Sequence, residues 1–331
     1  MKRILLGLVF SLHFLSIQGQ ESQFSSLGTL SSLHQLALDS SGNLYATDPR
    51  AGKIFIWALT DSGYSKPTEW IRELQKPTGM AIGTSGVWVV EQHQITEITD
   101  SGKKRITAIP TNQYISRYYL SLDSTENLVI GFGVNCVHCI ADPPFGSLQS
   151  INTHTGERYS LAQGFRAPAG VALDPVTKRL WVTDEAQPTE SHPSPGDEIN
   201  VLDKEKMHFG YPFCHAGTFP DALLGNKKSC ELFFGPRIAL EKPSKISGIC
   251  FDKSNAHSGL WVTTRGRRAD DTGQVFWVAL DKMRNAAPPV DITPKNRPNN
   301  FSPSDVIQTP MGIVVADMKN ATLWLLVEPK N

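Results

Sequence analysis

The strongest constraint on this chain is a phrase that recurs six times: an apolar run, a short turn, then a second apolar run. It reads LALDSSGNLYATD from Leu36, GMAIGTSGVWVVE from Gly79 and LSLDSTENLVIG from Leu120. It returns as GVALDPVTKRLWVTDE from Gly170, GICFDKSNAHSGLWVTT from Gly248 and DVIQTPMGIVVAD from Asp305. β-Branched and aromatic residues fill the runs, and Asp, Ser, Gly, Asn and Pro fill the turns, which is the grammar of hairpins. Third runs follow several copies, as in KIFIWAL, QITEIT, GQVFWVAL and TLWLL. A strand-rich unit returning every 40–50 residues or so specifies propeller blades. No stretch shows the sustained 3.6-residue periodicity that a helical fold requires. The reading is all-β, a six-bladed β-propeller. Its equivalent strands lie near Leu44–Thr47, Val87–Val90, Leu128–Ile130, Leu180–Thr183, Leu260–Thr263 and Ile313–Ala316.

Residues 1–19 read as a secretion signal, with Lys2 and Arg3, an apolar run from Ile4 to Ile17, then Gln18-Gly19-Gln20. The run is short for a membrane span, and no later segment approaches the ~20 apolar residues needed. Residues 20–331 are therefore expected to form one propeller domain, periplasmic or secreted, with a long insertion at about 185–246. With 32 basic and 32 acidic residues the charge balance is neutral, and nothing in it suggests a nucleic-acid surface or a polybasic membrane contact.

Export permits disulfides among the five cysteines. Cys214 and Cys230 flank a polar, turn-rich segment and are expected to pair, a closure that contributes about 3 kcal/mol in the chain-entropy model. Cys136 and Cys139 form a CxxC in GVNCVHCIADPP. Covalent haem needs His after the second cysteine, where Ile140 stands. Zinc needs two further ligands at patterned spacing, and His138 and His215 are unpatterned. A redox pair belongs at a helix start in a βαβ context. A local structural disulfide is the expectation, and Cys250, inside GICFD, reads as a buried apolar thiol.

In a propeller, strand ends beside the central channel project onto a common face. They include His34, Asp48, Glu91, Asn135, Arg166, Asp184, Glu185, Arg265 and Asp317, so a site assembled from several blades at the channel mouth is the default expectation. The densest signal is GFRAPAGVALDPVTKRLWVTDE followed by SPGDEINVLDKEKMHFGYPFCHAG. It resembles the soluble quinoprotein family of glucose and sorbosone dehydrogenases, whose middle blade carries G-x-R-N-P-x-G, a later L-W, an acidic D-E-h-N and an aromatic Y-G-W-P. The matching positions are Gly164, Arg166, Pro168, Gly170, Pro175, Thr177, Leu180 and Trp181, then Asp197, Glu198, Asn200, Phe209, Gly210 and Pro212. GFGVNCVHC is similar to the Gly-x-Asn-Cys-x-x-Cys loop of the sorbosone branch, and WVTTRGRR resembles a later blade's cofactor-facing loop. The resemblance is good from about Leu120 to Pro220, fair to Val278 and at blade level elsewhere.

The resemblance implies pyrroloquinoline quinone (PQQ) with calcium, and oxidation of a sugar or alcohol by hydride transfer. Arg166, Arg265, Arg267 and Arg268 are suited to gripping a planar tricarboxylate. Asp184, Glu185, Asp197 and Glu198 are the oxygen ligands available for calcium. The chain departs from the family at two points. Near Tyr114 to Arg117, where the family's general-base histidine falls, it reads Tyr-Ile-Ser-Arg, and Ala167 replaces the asparagine of the Arg-Asn pair. His34 and His93 are the candidate substitutes for the base. Weakened turnover is therefore expected.

Each residue also has a plainer reading. The arginine loop is a solvated charge run, Asp197-Glu198 is a turn before a strand, and Trp88, Trp181, Trp261 and Trp277 are packing residues. Two other functions fit the scaffold. One is a catalytically dead propeller that binds a ligand or protein; the other is a metal-dependent lactonase using Glu91, Asn135 and Asp184. A histidine beside the mouth arginines distinguishes the first from the enzyme; oxygens converging at the axis mark the second.

Overall fold

The computed structural model describes residues 22–110, 117–134, 136, 138–187, 195–252, 259–267 and 272–327. The secretion signal, Asn135, Arg268 and the segment Tyr114–Ser116 lie outside the described residues. The described chain forms a six-bladed β-propeller, with the repeated phrase supplying the inner two strands of each blade. Those inner pairs are Leu36–Leu38 with Leu44–Asp48, Gly79–Ile82 with Val87–Val90, and Leu120–Leu122 with Leu128–Phe132. They continue as Pro168–Leu173 with Leu180–Asp184, Ile246–Phe251 with Gly259–Thr264, and Pro303–Thr309 with Gly312–Asp317. The third runs read from the sequence lie in the strands Lys53–Trp57, Gln94–Thr99, Gln274–Ala279 and Thr322–Val327.

The ring closes with a strand the repeat did not announce. Gln23–Thr29 pairs antiparallel with Thr322–Val327 and becomes the outermost strand of the sixth blade, so the two ends of the chain share one sheet. The insertion also differs from its expected outline. The stretch 185–246 holds two strands of blade four itself, Glu198–Val201 and Ile238–Ala239. The additional structure lies between them. Met207–His208 adds in parallel to the outer edge of blade three beside Arg158–Gln163, and a small hairpin pairs Cys214–His215 with Phe219–Pro220.

Blades pack face to face through the apolar alternation of their strands. Trp57, Trp88 and Trp181 are fully buried and anchor separate clusters between neighbouring sheets. Each fully buried Leu or Phe in such clusters contributes roughly 1.5–3 kcal/mol. Around the axis, polar side chains stitch one blade to the next. Gln35 receives the amides of Met80 and Leu120 at 3.0 Å each and donates to the Leu120 carbonyl at 2.8 Å. Thr183 donates to the Ser247 carbonyl at 2.6 Å, Ser247 to the Pro303 carbonyl at 2.8 Å, and Asp305 accepts the Leu36 amide at 2.9 Å. Buried backbone groups near the channel thus find partners across blade boundaries, which fixes the rotation of each blade. Among the described residues, no helix is long and apolar enough to cross a membrane.

Candidate functional site

The acidic residue that ends the second strand of several repeats has a structural role. Asp48 accepts the amides of Ser31 and Ala51 and the hydroxyls of Ser31 and Ser32. Glu91 accepts the Gln75 amide, Asp184 the amides of Arg166 and Ala167 at 2.9 and 2.6 Å, and Asp317 the Ser302 amide. In each case the carboxylate ties down the loop that leads into the inner strand of its own blade. Asp197 does the same for blade five, accepting Ser244 and Ile246 at 2.8 and 2.9 Å besides Ala186 at 2.8 Å. A carboxylate receiving two or three amides is a fastener before it is a ligand. Glu91 is also held by Gln94 and Thr96, so it does not converge with Asp184 on the axis as a lactonase would require.

The four carboxylates grouped as calcium ligands, Asp184, Glu185, Asp197 and Glu198, do not come to one point. Among the described residues, no group of three or more His, Cys, Asp or Glu is arranged to hold a metal. Asp197 fastens loops and Glu185 turns toward the arginines. Asp184 and Glu198 remain as a buried pair, facing each other across adjacent strands. Burial and the charge of Glu198 push Asp184 well above the usual carboxylate range. Burial raises Glu198 to about 7 against hydrogen bonds from Asn200 and the Ala216 amide. Burial likewise lifts Asp197 to about 6 despite its three amide donors. Burial and the mutual repulsion of the two carboxylates both favour the protonated form at this pair.

The loops above the channel gather arginines. Glu185 bridges two of them, meeting Arg166 Nη1 at 3.3 Å and Arg265 Nη2 at 2.6 Å, all three side chains being about one-fifth exposed. The Nε groups of both arginines are buried and have no hydrogen-bond partner among the described residues. Arg117, from the loop leading into blade three, joins them; its Nη1 lies 3.5 Å from Met318 Sδ. Arg117 is solvent-exposed, but desolvation by its neighbours and then the charge of Arg265 pull its pKa below the ordinary value. The repeat pattern gave no signal for Arg117 as a site residue. Arg267 sits partly exposed in the Arg265 loop and forms no ion pair with a described residue.

The two candidate base histidines part company. His93 is exposed on its loop. His34 is buried beneath the arginines, its ring 4.6 Å from that of Tyr119 and its Nδ1 donating to the Thr78 carbonyl at 2.6 Å. Burial drives its pKa down to about 3; the Thr78 hydrogen bond opposes this, and the charges of Arg117 and Arg265 add to it. With the hydrogen on Nδ1, Nε2 keeps its lone pair at neutral pH. A histidine thus stands beside the mouth arginines, but it comes from blade one.

Beside the mouth, the chain builds a second polar cluster around Asp221. Its Oδ2 accepts His138 Nδ1 at 2.7 Å and His215 Nε2 at 2.9 Å, and its Oδ1 the amides of Leu223 and Leu224. This joins the CxxC loop to the insertion. Cys136 and Cys139 form a disulfide, as do Cys214 and Cys230, with Cα separations of 5.9 and 5.3 Å. Tyr211 donates to the Cys136 carbonyl at 2.9 Å. Cys250 is half-buried, less enclosed than its strand pattern suggested, and stands outside both disulfides.

Comparison with known proteins agrees on the scaffold. No family model matches the chain. An uncharacterised protein of Borreliella burgdorferi is 26% identical over 239 residues, covering 66% of this chain; the chain spans 61% of that relative's length. A carbohydrate-active enzyme of family AA12 from Trichoderma reesei, in its iodide structure, superposes with TM-score 0.77 at 16% identity over 94% of this chain and 97% of its own. The PQQ-bound aldose sugar dehydrogenase of Streptomyces coelicolor gives TM-score 0.66 at 16% identity, over 92% of this chain and 98% of its own. These likenesses define a class, the six-bladed propellers, here with an arginine-lined channel mouth.

Proposed function

We propose that the chain is an exported oxidoreductase of the quinoprotein type, which seats PQQ over the channel mouth and oxidises a sugar or alcohol there. The observation that carries this reading is the pair of buried Nε groups on Arg166 and Arg265, without a hydrogen-bond partner among the described residues, with Arg265 close enough to neutral His34 to depress its pKa. A buried guanidinium donor without an acceptor costs roughly 1–3 kcal/mol, and an incoming carboxylate removes that cost. Among the described residues Glu185 is the one acid that ion-pairs with the two arginines, so two guanidinium groups share a single carboxylate partner. The residues fit a planar tricarboxylate. They do not fit calcium: the carboxylates implied for it are engaged elsewhere, and no step is assigned to that ion. The shared fold with a PQQ-bound sugar dehydrogenase supports the reading, the Cys136–Cys139 loop supports the sorbosone branch, and the two disulfides support export.

When bound, the quinone supplies the hydride acceptor. The protein supplies orientation and proton handling. Arg166 and Arg265 would hold the quinone's carboxylates with their planar donor forks. His34 Nε2 offers the lone pair that takes a proton from a substrate hydroxyl, with Thr78 holding the tautomer. A pKa of about 3 makes His34 a weak base in the empty mouth. An anion between Arg117 and Arg265 offsets the charges that depress it, so ligand binding itself strengthens the base. The test is dye reduction by aldoses after loading with PQQ. His34→Asn is expected to lower turnover by about 10²–10⁴ while leaving quinone affinity intact. Full turnover in that variant would remove His34 from the mechanism. Failure of the unaltered chain to bind the quinone would turn the assignment to a binding module.

A further inference from the structure

A pocket of about 560 Å³ lies between the outer part of blade three and the insertion, away from the channel axis. Val134, Pro144, Phe145, Tyr211 and Phe213 make its walls apolar and largely aromatic or planar. Among the described residues its lining contains no Asp or Glu, and Lys227 and Lys228 stand on it. Neither lysine pairs with an acid among the described residues, and Lys228 Nζ sits 4.7 Å from the centre of the Phe213 ring. His208 adds a neutral donor. Burial and then the charge of Lys228 lower its pKa. Its Nδ1 accepts the Gly210 amide at 3.1 Å, which leaves the hydrogen on Nε2. The volume suits a small organic molecule, and an apolar slot with cations on one side suits one that is flat and anionic.

Position gives the pocket a further meaning. Tyr211 and Gly164 line it on one side and, on the other, line the small cavity bounded by Arg166 and Glu185. Gly164 has φ +81, and a side chain there would collide with His208 and the Gly210 amide, so the partition stays thin. Gly164 and Tyr211 thus form the partition between the pocket and the small cavity beside Arg166 and Glu185.

We propose that this pocket binds a planar aromatic anion of the quinone class and, resting on the oxidoreductase reading above, that it seats the electron acceptor. Each sugar or alcohol oxidised releases two electrons and two protons. A quinone that takes up both leaves as a hydroquinone, which balances the cycle. The aromatic walls stack the ring, Lys227 and Lys228 hold the anionic substituent, and His208 Nε2–H hydrogen-bonds a quinone oxygen.

The test is calorimetric titration of the full chain with anthraquinone-2-sulfonate, without cofactor. Binding is expected in the unaltered chain and in Arg166→Ala. It is expected to weaken at least tenfold in the Lys227→Glu/Lys228→Glu double variant and in Ser160→Trp, which fills the pocket from an exposed position. Circular dichroism of each variant checks that it is folded. Absence of binding to the unaltered chain overturns the proposal, as does affinity unchanged in both pocket variants. Binding that Arg166→Ala abolishes and the lysine variant keeps places the probe in the channel mouth, and also overturns it. Failure of the oxidoreductase reading looks different: anthraquinone-2-sulfonate binds as described while PQQ does not bind at all.

Discussion

Replacing Glu198 with glutamine should make the protein more stable, and only above about pH 5. Glu198 is 8% exposed, faces Asp184 across the sheet, and has its carboxyl raised from 4.5 to about 7, chiefly by burial. The folded state thus binds the proton more tightly than the unfolded chain. Its stability is fullest below the unfolded value and falls as pH rises through about 7. At roughly 1.4 kcal/mol per unit, the charge costs on the order of 3 kcal/mol once ionised. The amide carries no charge and keeps its partners. Its oxygen accepts the Ala216 amide, now 2.6 Å from Glu198 Oε1. Asn200 donates to Glu198 Oε2 at 3.0 Å and has a buried, unpartnered Oδ1; turning its side-chain amide lets that oxygen accept from the new one. Urea unfolding at pH 8 should therefore show Glu198→Gln more stable by about 2–3 kcal/mol, with the difference vanishing near pH 4.5. A difference independent of pH, or a variant weaker at pH 8, would refute the buried proton. Calcium that stabilises the unaltered chain at pH 8 and not the variant would mean that a cation takes the proton's place.

Asp221→Ala strands the donors of His138 and His215 and should cost about 1–3 kcal/mol, seen as faster amide exchange around the CxxC loop. Burial opposes ionisation of Asp221, but hydrogen bonds from His215, the Leu224 and Leu223 amides and His138 hold it at about 2. Its contribution is thus full above the ordinary 3.8 and lost as pH falls through about 2, so acid should loosen this junction in the unaltered chain and leave the variant's junction indifferent. Removing residues 23–29 leaves Thr322–Val327 as an open edge. It should lower the thermal midpoint and promote aggregation measurable by light scattering. Cys214→Ser with Cys230→Ser should destabilise by about 3 kcal/mol, read by urea unfolding; no change would show that the link constrains nothing in the unfolded chain.

The sixfold phrase made the inner half of every blade legible, because turn residues and period-two runs are local properties. The N-terminal strand was not, since Gln23–Thr29 is mostly polar and gains its place only by pairing with a strand some three hundred residues away. The placement of Arg166 and Arg265 side by side, both meeting Glu185, was legible from motif and strand position. Arg117 was not, because its role depends on which blade faces which. The acidic strand ends misled in an instructive way. Asp184 and Asp197 stand where a ligand would, yet their oxygens are occupied by loop amides, a use that sequence spacing alone cannot separate from metal binding. The same ambiguity separates His34, buried under the arginines, from exposed His93: both precede or follow strands of the repeat, and only the ring closure decides which one faces the channel.

The most direct test is equilibrium titration of the purified chain with PQQ, followed by heat and by the quinone's absorbance, and repeated with Arg166→Ala and Arg265→Ala. Charge-assisted contacts of this kind contribute about 1.5–3 kcal/mol each, so either substitution should weaken binding by roughly 10- to 150-fold. Stoichiometric binding that falls by that amount in both variants is the result the account predicts; binding that neither variant alters would contradict it.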